Sequence, residues 1–475
     1  MTWKLYPVFL LSLAACVPGA LFAQSQPALR LPDEPPVNAS LLALAQPGMQ
    51  AAAQTQGITP ASSSSGTPVL LTRQQAEKIA LANNPRIHIS QLLAKVEHEV
   101  VRETRSDELP DFSGNLSAVK AEEGSRISAG ALTASRLIGH AGMGVQLRQL
   151  VTDFGHTQNL VASAKLNEKA RLADAEASRA DIVLATDQVF FQAIEAEATL
   201  KVAEQTVAAR QTLVDQVSAL TAAKLKSELD LSFAQVNLSE AKLLQLDAQN
   251  NLDAAKAALD AVLGYDQQMN YKLVASSDEP AALPPEVEPL ILSAIQNRPD
   301  LQSLQWNEQA ARKFSRAQHE QFLPTISALG TVGKTPIGSS QYFTTDWYGA
   351  VGVNMSVPIF NGFRYAAEAS AASLQAKAAT ERTRDLRDAV VRDVRTAWLD
   401  AKTSLQRVTV TGELLRQANL ALNLSETRYQ LGLSSIVELS QAQLQQTQAA
   451  ISDANARSQY DFAMAALRFQ TGVQP

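Results

Sequence analysis

The sequence predicts a mainly α-helical chain with a small membrane β part, laid out as a tandem repeat of strand, strand and long helices. Three observations predict it. The stretch Val351-Gly352-Val353-Asn354-Met355-Ser356-Val357 alternates apolar with small or polar residues, the period of a half-buried strand. Alanine-rich tracts of roughly a hundred residues, with the composition of long helices, follow such stretches. The whole plan is also written twice: Asn84-Pro85 recurs as Arg298-Pro299 and Leu109-Pro110 as Leu323-Pro324, each 214 residues further on.

Of 475 residues only 5% are aromatic, and the mean hydropathy is -0.09, which favours an elongated chain over one large compact core. Lys and Arg number 41 against 47 Asp and Glu, a formal net charge of -6, mixed along the chain. No nucleic-acid surface is marked. The basic cluster Arg382, Arg384, Arg387, Arg392 and Arg395 is interleaved with Glu381, Asp385, Asp388 and Asp393 and reads as a solvated helix face.

Residues 1–23 have the charge, apolar run and small end residues of a secretory signal, so the mature protein is expected to be exported. Two processing routes fit. Leu13-Ala14-Ala15-Cys16 resembles a lipobox, in which Cys16 would carry lipid, whereas Leu21-Phe22-Ala23 suits ordinary cleavage after Ala23 and leaves no cysteine. Residues 24–68, rich in Pro, Ser, Ala and Gln, read as a disordered leader. Past them no apolar run approaches the roughly 20 residues of a membrane-spanning helix, so any crossing must be made by strands.

The first repeat is placed at 69–264. Thr72 and Gln75 have capping-box spacing, and Ala76, Ile79, Ala80 and Ile87 share a face with a break at Pro85. Strands follow at about 111–120, with Phe112, Leu116 and Ala118 on one side, and at 144–153. After a linker at 265–284, the second repeat at 285–472 has strands at about 325–332, with Ile326, Ala328 and Val332 aligned, and at 347–360. Proline at 110 and 324 suits each helix-to-strand boundary, since it cannot continue a helix. The helical tracts end at Leu263-Gly264 and Thr471-Gly472. Inside them Ala234-Gln235 recurs as Ala442-Gln443, 208 residues on. Each tract is expected to fold back once, at 222–231 and around Gly432, into antiparallel helices of about 60 and 40 residues.

Four strands cannot close a membrane barrel, because the smallest have about eight and an open edge leaves backbone groups unsatisfied in lipid. Copies must therefore pool their strands; three would supply twelve, within the known range. Trp347, Val351, Val353, Met355, Val357 and Ile359 would then face lipid and Asn354 and Ser356 a wet interior, with a corner at Asn361-Gly362. Tyr342, Trp347 and Tyr348 at one end and Phe360 and Phe363 at the other would form interfacial girdles. Small residues at 195–211 and 371–381 allow close packing on two helix faces, favouring a hollow wall over a filled bundle, with Leu200, Val207, Val214 and Val217 in one seam.

Enzyme chemistry is not expected, nor a metal or other cofactor. His88, His98, His140, His156 and His319 lack metal-ligand spacing and read as surface residues. The run 330–335 lacks the first glycine of a phosphate loop, with Ala328 in its place, and no nucleophile, base and orienter converge.

VPIFNGFRYAAEASAA after the fourth strand, RYQLGLSSIVELSQAQLQQTQAAISDANARSQYDFAMAALRFQTG near the end and the tandem repeat together resemble the TolC-like outer-membrane efflux proteins, over roughly residues 70–472. The resemblance implies a homotrimer whose twelve-stranded barrel lies in outer-membrane lipid and continues into a periplasmic α-barrel. It also implies a periplasmic adaptor and an inner-membrane transporter as partners. A gate at the inner helix tips is implied too, with Asp230 and Glu438 at its acidic positions and Tyr429 and Gly432 matching. Ser434 and Gln441 depart from the arginine and aspartate of some relatives, which puts that gate's salt-bridge lock in doubt. Three crowded copies of either carboxylate would repel one another and favour cations; the plainer alternative is a pair of solvated helix-end carboxylates. The expected function is a passive exit channel in a tripartite efflux pump. A duct for type I protein secretion and a soluble periplasmic coiled-coil adaptor are the alternatives.

Overall fold

The structure is a computed structural model that describes residues 69–120, 126–127, 135–136, 140–266, 269–274, 282–334 and 347–473. The expected signal peptide with Cys16, the leader and Tyr342 lie outside the described residues. In chain order the elements are β1 (Val69–Leu71), α1 (Arg73–Asn83), α2 (Pro85–Ser106), β2 (Asp111–Val119), β3 (Arg126–Ile127), β4 (Ser135–Arg136), β5 (His140–Thr152), α3 (His156–Ala222), α4 (Glu228–Leu263), β6 (Tyr271–Leu273), α5 (Glu288–Asn297), α6 (Pro299–Glu320), β7 (Thr325–Lys334), β8 (Trp347–Ser356), α7 (Arg364–Gln430) and α8 (Ile436–Gln470).

Local chemistry sets the boundaries. Thr72 Oγ1 accepts from the Gln75 amide at 3.4 Å while Gln75 Oε1 accepts from the Thr72 amide at 2.9 Å, the reciprocal bonds of a capping box. Asn84 Oδ1 accepts from the Arg86 amide at 3.0 Å, and Pro85 opens α2, so the break divides two helices. Helices α3 and α7 run unbroken for 67 residues each, about 100 Å at 1.5 Å per residue. Each turns back into a shorter helix, α4 of 36 residues and α8 of 35. The expected 60 and 40 thus shift toward the longer member, because both turns are tight and lie late in their tracts.

Strands β2, β5, β7 and β8 form one antiparallel sheet in that order. β5 begins at His140, before the expected 144, because its ladder with β2 runs on to Val119↔His140. β8 ends at Ser356, not at 360. Pro358 has no amide to donate and restricts Val357, and opposite it Pro324 precedes the first residue of β7, so the ladder stops at Thr325↔Ser356. Val357 and Ile359, expected within this strand, are exposed beyond it.

Four strands were expected; the described residues hold eight. β3 and β4 pair with each other, and β1 pairs in parallel with β6, inside the expected linker. The first described element, β1, thus starts at Val69, where the first repeat was placed. The β1–β6 pair helps build the main hydrophobic cluster, in which Leu71, Tyr271 and Leu273 join Phe190, Phe191, Leu259 and Leu263.

Helix packing follows the order of the sheet. α2 lies along α3, while α6 lies along both α3 and α7. Toward the hairpin turns α4 lies along α3, and α8 along both α3 and α7. The two layers read α2-α3-α6-α7 and α4-α3-α8-α7. Because α2 leads into β2 and β8 leads into α7, the outer members of the sheet and of the α2-α3-α6-α7 layer fall on the same two sides of the chain.

Candidate functional site

In an antiparallel ladder, residues directly opposite each other project to the same face. One face of the four-stranded sheet therefore carries Phe112 and Leu116, then Met143, Val145 and Leu147, then Ile326, Ala328 and Val332, then Trp347, Val351, Val353 and Met355. Most of these side chains are open, Leu116 84% exposed, Val351 92% and Val353 74%, while Leu147, Ile326 and Ala328 are half-buried. The opposite face carries Ser113, Asn115, Ser117, Gln146, Arg148, Thr331, Asn354 and Ser356, with Leu150 and Leu329 among them, while Gln149 and Lys334 are the polar members of the first face. The sequence placed Trp347, Val351, Val353 and Met355 on one side of a single strand. The register extends that side across all four.

β5 and β8 each reach the long helix that follows through two consecutive left-handed residues, Phe154 (φ 57°) with Gly155 (φ 111°), and Gly362 (φ 65°) with Phe363 (φ 67°). Left-handed backbone is strained for phenylalanine and free for glycine. At the first corner Asp153 holds the helix start, Oδ1 accepting from the Gly155 amide at 3.2 Å and Oδ2 from the Thr157 amide at 2.7 Å. Phe154 at this corner and Phe360 and Phe363 at the second stay exposed, and Phe360 meets Phe363 edge to face at 5.5 Å. His156, expected on the surface, is half-buried at the first corner, with Nδ1 2.7 Å from the Ala317 carbonyl oxygen.

At the far end of the helices two turns, residues 223–227 and 431–435, are built alike. The Leu225 amide donates to the Leu220 carbonyl and the Leu433 amide to the Arg428 carbonyl, both at 2.8 Å. Gly432 is left-handed at φ 73°, and Lys224, 208 residues earlier, adopts φ 61° in the matching place. Ser227 caps α4 and Ser435 caps α8.

The four expected tip residues take different roles. Asp230 closes a capping box: its amide donates to Ser227 Oγ at 3.1 Å, and its Oδ2 accepts from the Ser227 amide at 3.2 Å. Glu438 donates its amide to Ser435 Oγ at 3.3 Å and sets Oε1 3.3 Å from Arg428 Nε. Tyr429 is buried among Leu213, Val217, Ala234, Ile436 and Leu439, a cluster that ties both hairpins together. Among the described residues its hydroxyl has no hydrogen-bond partner, and Lys226 Nζ lies 4.3 Å from its ring centroid. Burial, and after it the Asp230 charge, pushes the Tyr429 phenol above its ordinary range. Gly432 supplies the turn.

Arg428, Lys224 and Lys226 belong to this site and were not singled out from sequence. Lys224 carried a signal, since the repeat offset sets it opposite Gly432. A polar seam behind the tip was also missed: buried Arg210 donates Nη1 to the Asn237 carbonyl at 2.6 Å, and Asn237 Nδ2 donates to Ser440 Oγ at 2.6 Å. Thr206 and Thr447 hydroxyls meet at 3.3 Å. These bonds hold the α3–α4 hairpin to α8.

The sheet, largely apolar on one face and largely polar on the other and set on long helical hairpins, has the amphipathic pattern of strands that cross a membrane. The chain belongs to the outer membrane efflux protein family, whose model matches residues 77–265 and 290–473. Outer membrane protein OprJ of Pseudomonas aeruginosa is 24% identical over 383 residues, covering 77% of this chain and 76% of OprJ. Outer membrane protein TolC of Escherichia coli is 23% identical over 410 residues, covering 81% and 79%. The crystal structure of CusC superposes with a TM-score of 0.75 at 19% identity, covering 84% of this chain and 92% of CusC. The chain is thus an outer-membrane protein of the efflux family, with the family's mixed strand and long-helix fold.

Proposed function

We propose that the protein is a passive outer-membrane exit channel of a tripartite efflux pump, working as a homotrimer whose twelve strands close one barrel above a periplasmic wall of helices. The carrying observation is that the open edges coincide. β2 and α2 lie on one side of the chain and β8 and α7 on the other, so one head-to-tail contact repeated around a ring satisfies sheet and helices together. Apolar side chains stand ready on the helical edges, with Ile89, Leu92, Leu93 and Val96 exposed on α2 at one-face spacing.

In this arrangement Trp347, Val351, Val353 and Met355 face lipid, and Val357 and Ile359 meet the membrane boundary beside Phe360 and Phe363. Asp230 and Glu438 ring the inner aperture, where crowding of three copies favours cations. Energy comes from an inner-membrane transporter reached through a periplasmic adaptor. A type I secretion duct is the second reading, since an exported polypeptide needs the same bore. A soluble coiled-coil adaptor is disfavoured by the four-strand apolar face, which water would not solvate well.

The test is extraction and reconstitution. The protein should leave the outer-membrane fraction only with detergent, sediment as a trimer and give stepwise conductance in planar bilayers. A water-soluble monomer without conductance would overturn the proposal.

A further inference from the structure

Across the polar sheet face, near the strand ends remote from the helices, one row reads Asn115, Gly144, Gly333, Tyr348 on β2, β5, β7 and β8. The tyrosine reaches back over both glycines. A Cβ added at Gly144 would meet Tyr348 Oη at 2.6 Å, and one added at Gly333 would meet the same hydroxyl and its ring carbon Cζ. Glycine in a strand interior weakens it and marks a place where something approaches closely. Here that something is an aromatic ring lying flat in a recess two strands wide. Gly144 and Gly333 have no positive φ, so conformational freedom does not account for them.

We infer that Tyr348 is a size-determining residue of the barrel lumen, laid against the wall by the Gly144–Gly333 recess. This rests on the channel reading, in which the polar face lines the bore. Three copies place three such rings at one level. A ring held flat leaves the bore wide, whereas a ring lifted by a side chain beneath it would project inward on all three sides. The chemical class selected is defined by girth, and no charge on the row discriminates among solutes.

Gly144→Ala is the informative substitution. The contact under 3.0 Å at Gly144 is the far end of the tyrosine side chain, with the Val332 carbonyl next at 3.2 Å, whereas a Cβ at Gly333 would also meet the Met143 carbonyl at 2.6 Å. Wild type, Gly144→Ala, Tyr348→Ala and the double variant are reconstituted in planar bilayers. Neutral polyethylene glycols of graded size are then added on the strand-end side, and the largest polymer that lowers the current gives the lumen cut-off. Gly144→Ala should move the cut-off to smaller polymers and Tyr348→Ala to larger ones. The double variant should match Tyr348→Ala, because the alanine then has no ring to lift.

An unchanged cut-off in Gly144→Ala, or the same decrease in the Tyr348→Ala background, would overturn the inference. Should Gly144→Ala fail to assemble, Tyr348→Ala decides alone, and an unchanged cut-off there overturns it equally. Absence of conductance from wild type would instead count against the channel reading.

Discussion

Arg428 and Glu438 face each other across the turn between α7 and α8, Nε to Oε1 at 3.3 Å, with side chains 55% and 44% exposed. An ion pair so open contributes at most about 1 kcal/mol. Glu438→Gln should therefore leave the melting midpoint nearly unchanged. Combined with Asp230→Asn, which keeps a capping side chain at that position, it should weaken the cation preference of the reconstituted channel, read as a reversal potential in a salt gradient. An unchanged reversal potential would leave both as solvated helix-end carboxylates, Asp230 in its capping box and Glu438 paired with Arg428.

Val353 stands on the apolar sheet face, 74% exposed and opposite Ala328. Val353→Lys should destabilise the assembled barrel by about 2–4 kcal/mol if the site lies near mid-bilayer. Trimer recovered on unheated gels should fall, and undiminished recovery would show that this face does not meet lipid.

Asp187 and Glu77 are buried on either side of a single guanidinium, Arg73 Nη1 lying 3.1 Å from Asp187 Oδ2 and 3.1 Å from Glu77 Oε1. Burial pushes the Asp187 carboxyl from 3.8 up to about 7, with Arg73 opposing the rise and Glu77 adding to it. Between those values the folded chain holds a proton that the unfolded chain has lost. Stability should therefore fall as pH rises through that window and level off above it. Asp187→Asn should flatten this dependence, measured as the difference in melting midpoint between about pH 5 and about pH 8. An Asn variant with the wild-type slope would show that the proton sits elsewhere.

Lys224 and Gly432 share one left-handed turn position, at φ 61° and 73°. A side chain there is strained by roughly 1 kcal/mol relative to glycine. Lys224→Gly should slow amide exchange in the 223–227 turn, and Gly432→Lys should speed it in 431–435. Equal exchange in both variants and wild type would mean that the strain is relieved locally.

Much of this architecture is legible in the residues. Alternation over 325–332 and 347–356 marks two strands, and Asn361-Gly362 marks a corner that two left-handed residues then form. What escaped has physical reasons. β1 and β6 are three residues each, too short for a period, and they pair across nearly the whole first repeat. Arg428 meets Glu438 over a turn, a spacing that no helical period announces. Ser227 and Asp230 have the same capping spacing as Thr72 and Gln75, and that spacing binds a carboxylate to its own chain before it can face a pore. The strand face was readable one strand at a time, whereas its continuity through Phe112, Val145 and Val332 needed the register.

The coincident edges have a genetic consequence. In the proposed ring of three copies each chain would donate one edge and accept the other, so a lesion confined to the β2 and α2 side would spoil a seam in every ring that includes it. Coexpressed in equal amounts with an intact allele, such a subunit would leave about one ring in eight free of damage. The lesion would behave as a dominant poison, although the damaged polypeptide keeps an unaltered second edge.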